Sequence, residues 1–99
     1  MTELDPIVHA PSRLRVMATL AALGTGNQIR FPVLQRTLDM TAGNLSTHLR
    51  RLEEADYVTV TKTFAGRTPS TKVGLTPRGR LAFEDYTRTL TALLTPEAP

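Results

Sequence analysis

The sequence predicts an α+β, mainly α, fold in a single domain, and three observations predict it. Four segments carry apolar residues at three- and four-residue steps, the period of a helix with one buried face. Two further segments, YVTVTKTF and TKVGL, alternate apolar and polar residues in the manner of half-buried strands, with turn-forming residues between them. The whole chain is 99 residues, enough for one core without room for a separate effector or catalytic domain.

The elements follow in order. After a short leader, PSRLRVMATLAAL places Leu14, Met17, Leu20 and Ala21 on one helical face, with Pro11 or Ser12 at its start. GTGN breaks that helix, and QIRF reads as one small strand or an extended connector. PVLQRTLDM is a second, short helix with Pro32 in its first turn and Val33, Leu34 and Leu38 facing inward. Thr41 is the expected N-cap of a third helix whose buried face is Leu45, Leu49 and Leu52. That helix ends at EEADY, where Asp56 takes the left-handed position a glycine prefers. The two strands follow as a β-hairpin with a basic tip, its loop assigned to AGRTPS. TPRGRLAFEDYTRTLTALL is a long last helix capped by Thr76, and the tail TPEAP is expected to fray.

Two helices separated by DMTAG make a helix-turn-helix, at about 32–55, and a hairpin directly after it, at about 57–75, makes a wing. With the C-terminal helix at about 76–94, a single winged helix-turn-helix domain occupies 1–99.

Composition excludes much else. Hydrophobic residues at 40% and charged residues at 21% are globular values, which rules out wholesale disorder. With no cysteine there is no disulfide framework, thiol sensor or cysteine nucleophile, and two histidines, His9 and His48, do not make a multi-histidine metal site. Ser12, Ser46 and Ser70 lack a nucleophile-elbow context and there is no glycine-rich phosphate loop, so no enzyme, catalytic residue, metal or cofactor is expected. The apolar run around Val16 to Leu23 is far short of a membrane span, and Glu3 and Asp5 precede any basic residue, unlike a secretory signal; a cytoplasmic protein is expected.

The net charge of +3 is concentrated in the middle. Thr41 to Arg80 holds seven basic and three acidic residues, against five basic and six acidic in the rest of the chain. A basic centre on a small domain calls for a polyanionic partner.

The stretches TAGNLSTHLRRLEEADYVTVTK, FAGRTPSTKVGLTPRGR and PSRLRVMATL resemble small winged-helix DNA-binding transcriptional regulators allied to the MarR and ArsR families, over roughly Asp5 to Leu94. The resemblance implies a dimeric, sequence-specific regulator of double-stranded DNA. It also implies an effector cleft between the dimer helices and the DNA-binding lobe, for which no residue here marks a chemotype. Two departures are Asp56, where the family usually has glycine, and the long, polar connector GTGNQIRFPVLQ.

Read from the residues, a helix turning about 100° per residue with its leucines buried presents its polar side chains outward, most of them in the N-terminal half that enters a major groove. Asn44, Thr47 and Arg51 are the candidates for base edges: Asn matches adenine, Arg matches guanine, and Thr offers a methyl to thymine. Ser46, His48 and Arg50 are candidates for phosphates, with Thr41 and the open helix N-terminus at Ala42 and Gly43 beside them. In the wing, Arg67 is placed for a narrow minor groove and Lys62 and Lys72 for phosphates on either side. Arg78 and Arg80 stand in the first turn of the last helix, where the dipole disfavours cations, so each needs an acidic neighbour or a DNA backbone.

The last helix carries more apolar surface than this core can cover. Leu14 and Met17 of the first helix and Phe83, Tyr86, Leu90, Leu93 and Leu94 of the last are expected to pair two copies as a homodimer. A winged helix used for protein–protein interaction, without specific DNA binding, is the alternative.

Overall fold

Local signals place most of the element boundaries, and the computed structural model, which describes residues 3–97, realises them as seven elements. They are α1 (Pro11–Ala22), β1 (Gln28–Arg30), α2 (Phe31–Leu38), α3 (Ala42–Glu54), β2 (Val58–Ala65), β3 (Thr68–Leu75) and α4 (Pro77–Leu94). The small antiparallel sheet has the order β1-β3-β2. Of QIRF, Gln28–Arg30 resolves as a true strand and Phe31 opens α2. The end of the tail, Ala98 and Pro99, lies outside the described residues.

The helices of the helix-turn-helix both stop by a left-handed residue. Asp39 has φ 52°, so α2 ends at Leu38 rather than running on through Met40. Met40 N–H then donates to the Gln35 carbonyl and Asp39 N–H to that of Arg36, each at 3.2 Å, which is the paired-bond ending of a Schellman motif. The Arg15 guanidinium donates to the Leu38 carbonyl at 2.9 Å, setting a cation at the negative end of the helix. α3 repeats the device at Asp56, φ 62°, with Asp56 N–H donating to the Glu53 carbonyl and Tyr57 N–H to that of Leu52, both at 2.9 Å. A left-handed aspartate is strained relative to glycine, so Asp56→Gly should stabilise the fold by roughly 0.5–1 kcal/mol. A urea midpoint that stays put or falls would mean that the aspartate side chain contributes something its backbone angle hides.

The wing differs from its predicted outline. Its loop is two residues, Gly66 and Arg67, and Thr68, Pro69 and Ser70 belong to β3, paired with Ala65, Phe64 and Thr63. Gly66, at φ 68°, supplies the positive angle that a tight type II′ hairpin needs at its first central position. Pro69 is tolerated because it sits one pair from the closing pair, where the missing N–H points away from β2. On that other side β1 pairs only with Lys72, Val73 and Gly74, so no partner is lost.

Pairing also sorts the sheet into two faces. Val58, Val60, Lys62 and Phe64 share one face with their partners Leu75, Val73, Thr71 and Pro69. Val58 and Val73 are buried, which identifies this as the face turned to the helices. Thr59, Thr61, Thr63 and Lys72 lie on the other.

The core takes Val16, Met17 and Leu20 from α1, Leu34 and Leu38 from α2, Leu45, Leu49 and Leu52 from α3, Val58 and Val73 from the sheet, and Tyr86 from α4. Met17 (0% exposed) and Tyr86 (3%) were expected at a dimer interface; both are instead consumed by the chain's own core and have no surface left for a partner. The leader is structural as well. Val8 is fully buried, Asp5 accepts a hydrogen bond from the Tyr57 hydroxyl, and His9 Nδ1 lies 2.9 Å from the Tyr86 hydroxyl.

Tyr57 is pushed up to about 12 by burial, then by its hydrogen bond to Asp5 and the Asp5 charge, against a smaller opposing effect of Arg78. An unfolded tyrosine ionises near pH 10, so the folded state holds this proton more tightly. The stabilisation is therefore complete below pH 10 and is lost as pH rises towards 12. Tyr57→Phe should remove that alkaline loss in a pH series of urea midpoints, and an unchanged profile would place its origin elsewhere.

α4 is joined to the hairpin through Thr76. Its hydroxyl donates to the Asp56 carbonyl at 2.6 Å and accepts from Gly79 N–H at 2.8 Å, while its backbone N–H donates to the Tyr57 carbonyl at 3.1 Å. One capping residue thus ties the start of α4 to the end of α3.

Candidate nucleic-acid interface

α3 has a buried leucine stripe, and its remaining circumference is open. Thr41, Asn44, Ser46, Thr47, Arg50 and Arg51 are exposed and His48 is half-buried, so the seven sequence candidates on this element share one accessible surface. Two of the hydroxyls already have work within the helix. The Thr41 oxygen accepts from Asn44 N–H at 3.1 Å as the N-cap, and Thr47 donates to the Gly43 carbonyl at 3.0 Å. Thr41 retains its proton for an acceptor outside, and Thr47 presents its methyl and its oxygen lone pairs.

The cations on this surface are not neutralised internally. Among the described residues the one salt bridge joins Arg88 to Asp85, at 3.2 Å on exposed α4. Arg50 and Arg51, in the C-terminal half of α3, are therefore left for a partner, while the open N-terminus at Ala42 and Gly43 is the end whose dipole favours negative charge.

The hairpin stands beside α3 across an open groove of about 400 Å³, in which Ser46, Arg50 and Glu53 face Lys62 and Thr71. Lys62 is on the helix-facing side of the wing and Lys72 on the opposite side, as the strand register dictates. Arg67 stands exposed at the tip.

Register brings in a residue that the sequence reading did not select. Arg30 pairs with Lys72 across β1 and β3, and both are exposed. Like charges directly opposite one another are unfavourable in a sheet, which suits a site that holds an anion. The two are distant in sequence, and only strand pairing reveals that they meet. The Arg78 guanidinium lies over the Tyr57 ring at 6.0 Å from the centroid, a cation–π contact, with Asp5 bonded to the same tyrosine.

Of the residues expected to pair two copies, Leu14, Phe83 and Leu90 are half-buried against the core, whereas Leu93 and Leu94 are 51% and 73% exposed near the end of α4. No helix among the described residues is long and apolar enough to cross a membrane.

Comparison with known proteins agrees with this geometry. Residues 12–94 match the family described as winged helix DNA-binding domain. An uncharacterized protein of Methanocaldococcus jannaschii is 32% identical over 80 residues, covering 81% of this chain and 84% of its own. The transcriptional regulator homologue protein from Pyrococcus horikoshii OT3 superposes with a TM-score of 0.81 at 33% identity, covering 89% of this chain and 84% of its own. AbsC, a MarR family transcriptional regulator from Streptomyces coelicolor, shares the fold with a TM-score of 0.71 at 20% identity, over 94% of this chain and 67% of its own.

Proposed function

Because the chain belongs to the winged helix DNA-binding domain family, with a fold shared by MarR-type regulators, we propose that it is a sequence-specific, double-stranded-DNA-binding transcriptional regulator that acts as a homodimer. α3 enters the major groove, where Asn44, Thr47 and Arg51 read base edges and Thr41, Ser46, His48 and Arg50 hold phosphates. The wing follows the backbone with Lys62 and Lys72 and sets Arg67 in the adjacent minor groove. Pairing through the apolar faces of α1 and α4, with Leu14, Phe83, Leu90, Leu93 and Leu94, places two α3 helices roughly 34 Å apart on a near-palindromic site. The observation that carries this reading is the exposed polar face of α3, from Thr41 at its N-cap to Arg50 and Arg51, two arginines lacking internal partners, directly beside a basic wing.

A salt-titrated binding isotherm on the DNA upstream of the protein's own gene, beside a scrambled duplex of equal length, tests it. About eight phosphate contacts per dimer predict a slope near −7 in log affinity against log salt, with tighter binding to the upstream fragment. Arg51→Ala should relax sequence preference, while Lys62→Ala, at a phosphate, should weaken all duplexes alike and reduce the slope by about 0.9 per wing. Absence of binding to either duplex at low salt would favour a winged helix used as a protein-interaction module.

A further inference from the structure

The wing carries one feature that electrostatics does not explain. Phe64 is 68% exposed, whereas the other four aromatic residues, Phe31, Tyr57, Phe83 and Tyr86, are buried or half-buried. It pairs with Pro69, next to the Gly66–Arg67 turn, so the end of the hairpin presents an apolar ridge between Lys62 and Arg67. Phe64 stands on β2, an edge strand of the sheet, where an exposed aromatic is an aggregation hazard, which points to a use. The ridge lies on the same sheet face as Val60 and Lys62, the face that α3 packs against, and it extends beyond the part that the helix covers. Arg50 of α3 and Lys62 on this side of the wing border one open groove, so a polyanion held by α3 lies beside this side of the wing.

We propose that Phe64, backed by Pro69, is a minor-groove wedge: it presses between base pairs at a flexible step while Lys62 and Arg67 hold the flanking phosphates and groove floor. The proposal rests on the DNA-binding reading and adds a substrate class to it, duplexes that carry a pyrimidine–purine step where the wing lands. Apolar side chains inserted from the minor groove unstack and kink the duplex, and TA and CA steps yield most easily. The flanking positive charge complements the phosphates of that groove and disfavours the wing of a second copy, which carries the same charges.

This predicts a preference opposite to that of an arginine acting alone. A lone wing arginine favours the narrow groove of a stiff A-tract, whereas a wedge favours a groove that can open. Two 30-base-pair duplexes of equal composition, one with repeated TA steps and one with uninterrupted A-tracts, provide the probe. The wild-type chain should bind the TA duplex about tenfold more tightly, a factor set by one local unstacking contact. F64A should abolish that preference with the salt slope unchanged, and F64L should retain part of it. Because Phe64 lies outside the core, both variants should keep the wild-type thermal midpoint.

A wild-type preference for the A-tract, or an F64A variant that still prefers TA, overturns the wedge, while a steep salt slope in the same titration keeps the DNA-binding reading. No binding to either duplex overturns both. Sedimentation showing that F64A alone dissociates the free protein would assign the ridge to a second copy and overturn the wedge.

Discussion

Gly79→Ala should cost the fold about 3 kcal/mol or more, a large fraction of the roughly 5–15 kcal/mol that holds a small domain folded. A Cβ built on Gly79 would stand 2.0 Å from the Tyr57 carbonyl oxygen and 2.7 Å from its carbon. Both atoms are backbone, fixed by the ending of α3 and by the Thr76 N–H that donates to the same carbonyl. No side chain can rotate away, so α4 must lift off the α3–β2 corner. Helix propensity pulls the other way by only about 1 kcal/mol, and the clash decides the sign. Gly43→Ala is the matched control: nothing lies within 4 Å of its added Cβ, so the same propensity gain should appear as a stabilisation of up to about 1 kcal/mol. Urea unfolding followed by far-ultraviolet circular dichroism measures both, and a Gly79→Ala midpoint within error of wild type would show that the contact relaxes freely. Gly43→Ala should also lose DNA affinity despite its added stability, since the methyl stands where the open N-terminus of α3 approaches a phosphate.

Replacing Leu93 and Leu94 together by glutamate should convert the protein to a monomer and reduce its affinity for a two-half-site duplex by about 10²–10⁴-fold, the factor that linkage of two half-site contacts supplies. Both leucines are largely exposed on the single chain, so the fold has no core contact to lose there, and its thermal midpoint should move only through the lost association. In a dimer each glutamate would bring a carboxylate into an apolar interface without a partner. Sedimentation of the free protein and titration of a palindromic duplex give the two readings. A double variant that sediments and binds as wild type would remove the end of α4 from the dimer interface and direct attention to Leu81, the other exposed leucine of this helix, at 63%.

Much of this was legible from residue order. The caps at Thr41 and Thr76, the left-handed ending at Asp56 and the leucine stripe of α3 are local devices, specified by residues within one or two turns of each other. The polar surface of α3 followed from the same periodicity, because burying Leu45, Leu49 and Leu52 determines where Asn44, Thr47 and Arg51 must point. The wing reads as a hairpin in the sequence, but its turn reads too long, since Pro69 looks like a loop residue until strand pairing shows that its missing N–H faces an empty edge. Leu14, Phe83 and Leu90 show the limit of an amphipathic count: a wide stripe states how much apolar surface exists, and leaves open which part the chain covers for itself.

Hydrophobic period, caps and turn residues act over a few positions and need no distant partner, so residue order is enough to specify a winged helix-turn-helix with a basic centre and a polar face on its third helix. Packing and strand register, by contrast, assign Met17 and Tyr86 to the core, bring Arg30 to Lys72, set Lys62 and Phe64 on the helix-facing side of the wing, and require that Gly79 lack a side chain. Each of those outcomes depends on register or close approach between segments far apart in the chain, and a shift of one residue in pairing would reverse the face on which every wing side chain stands.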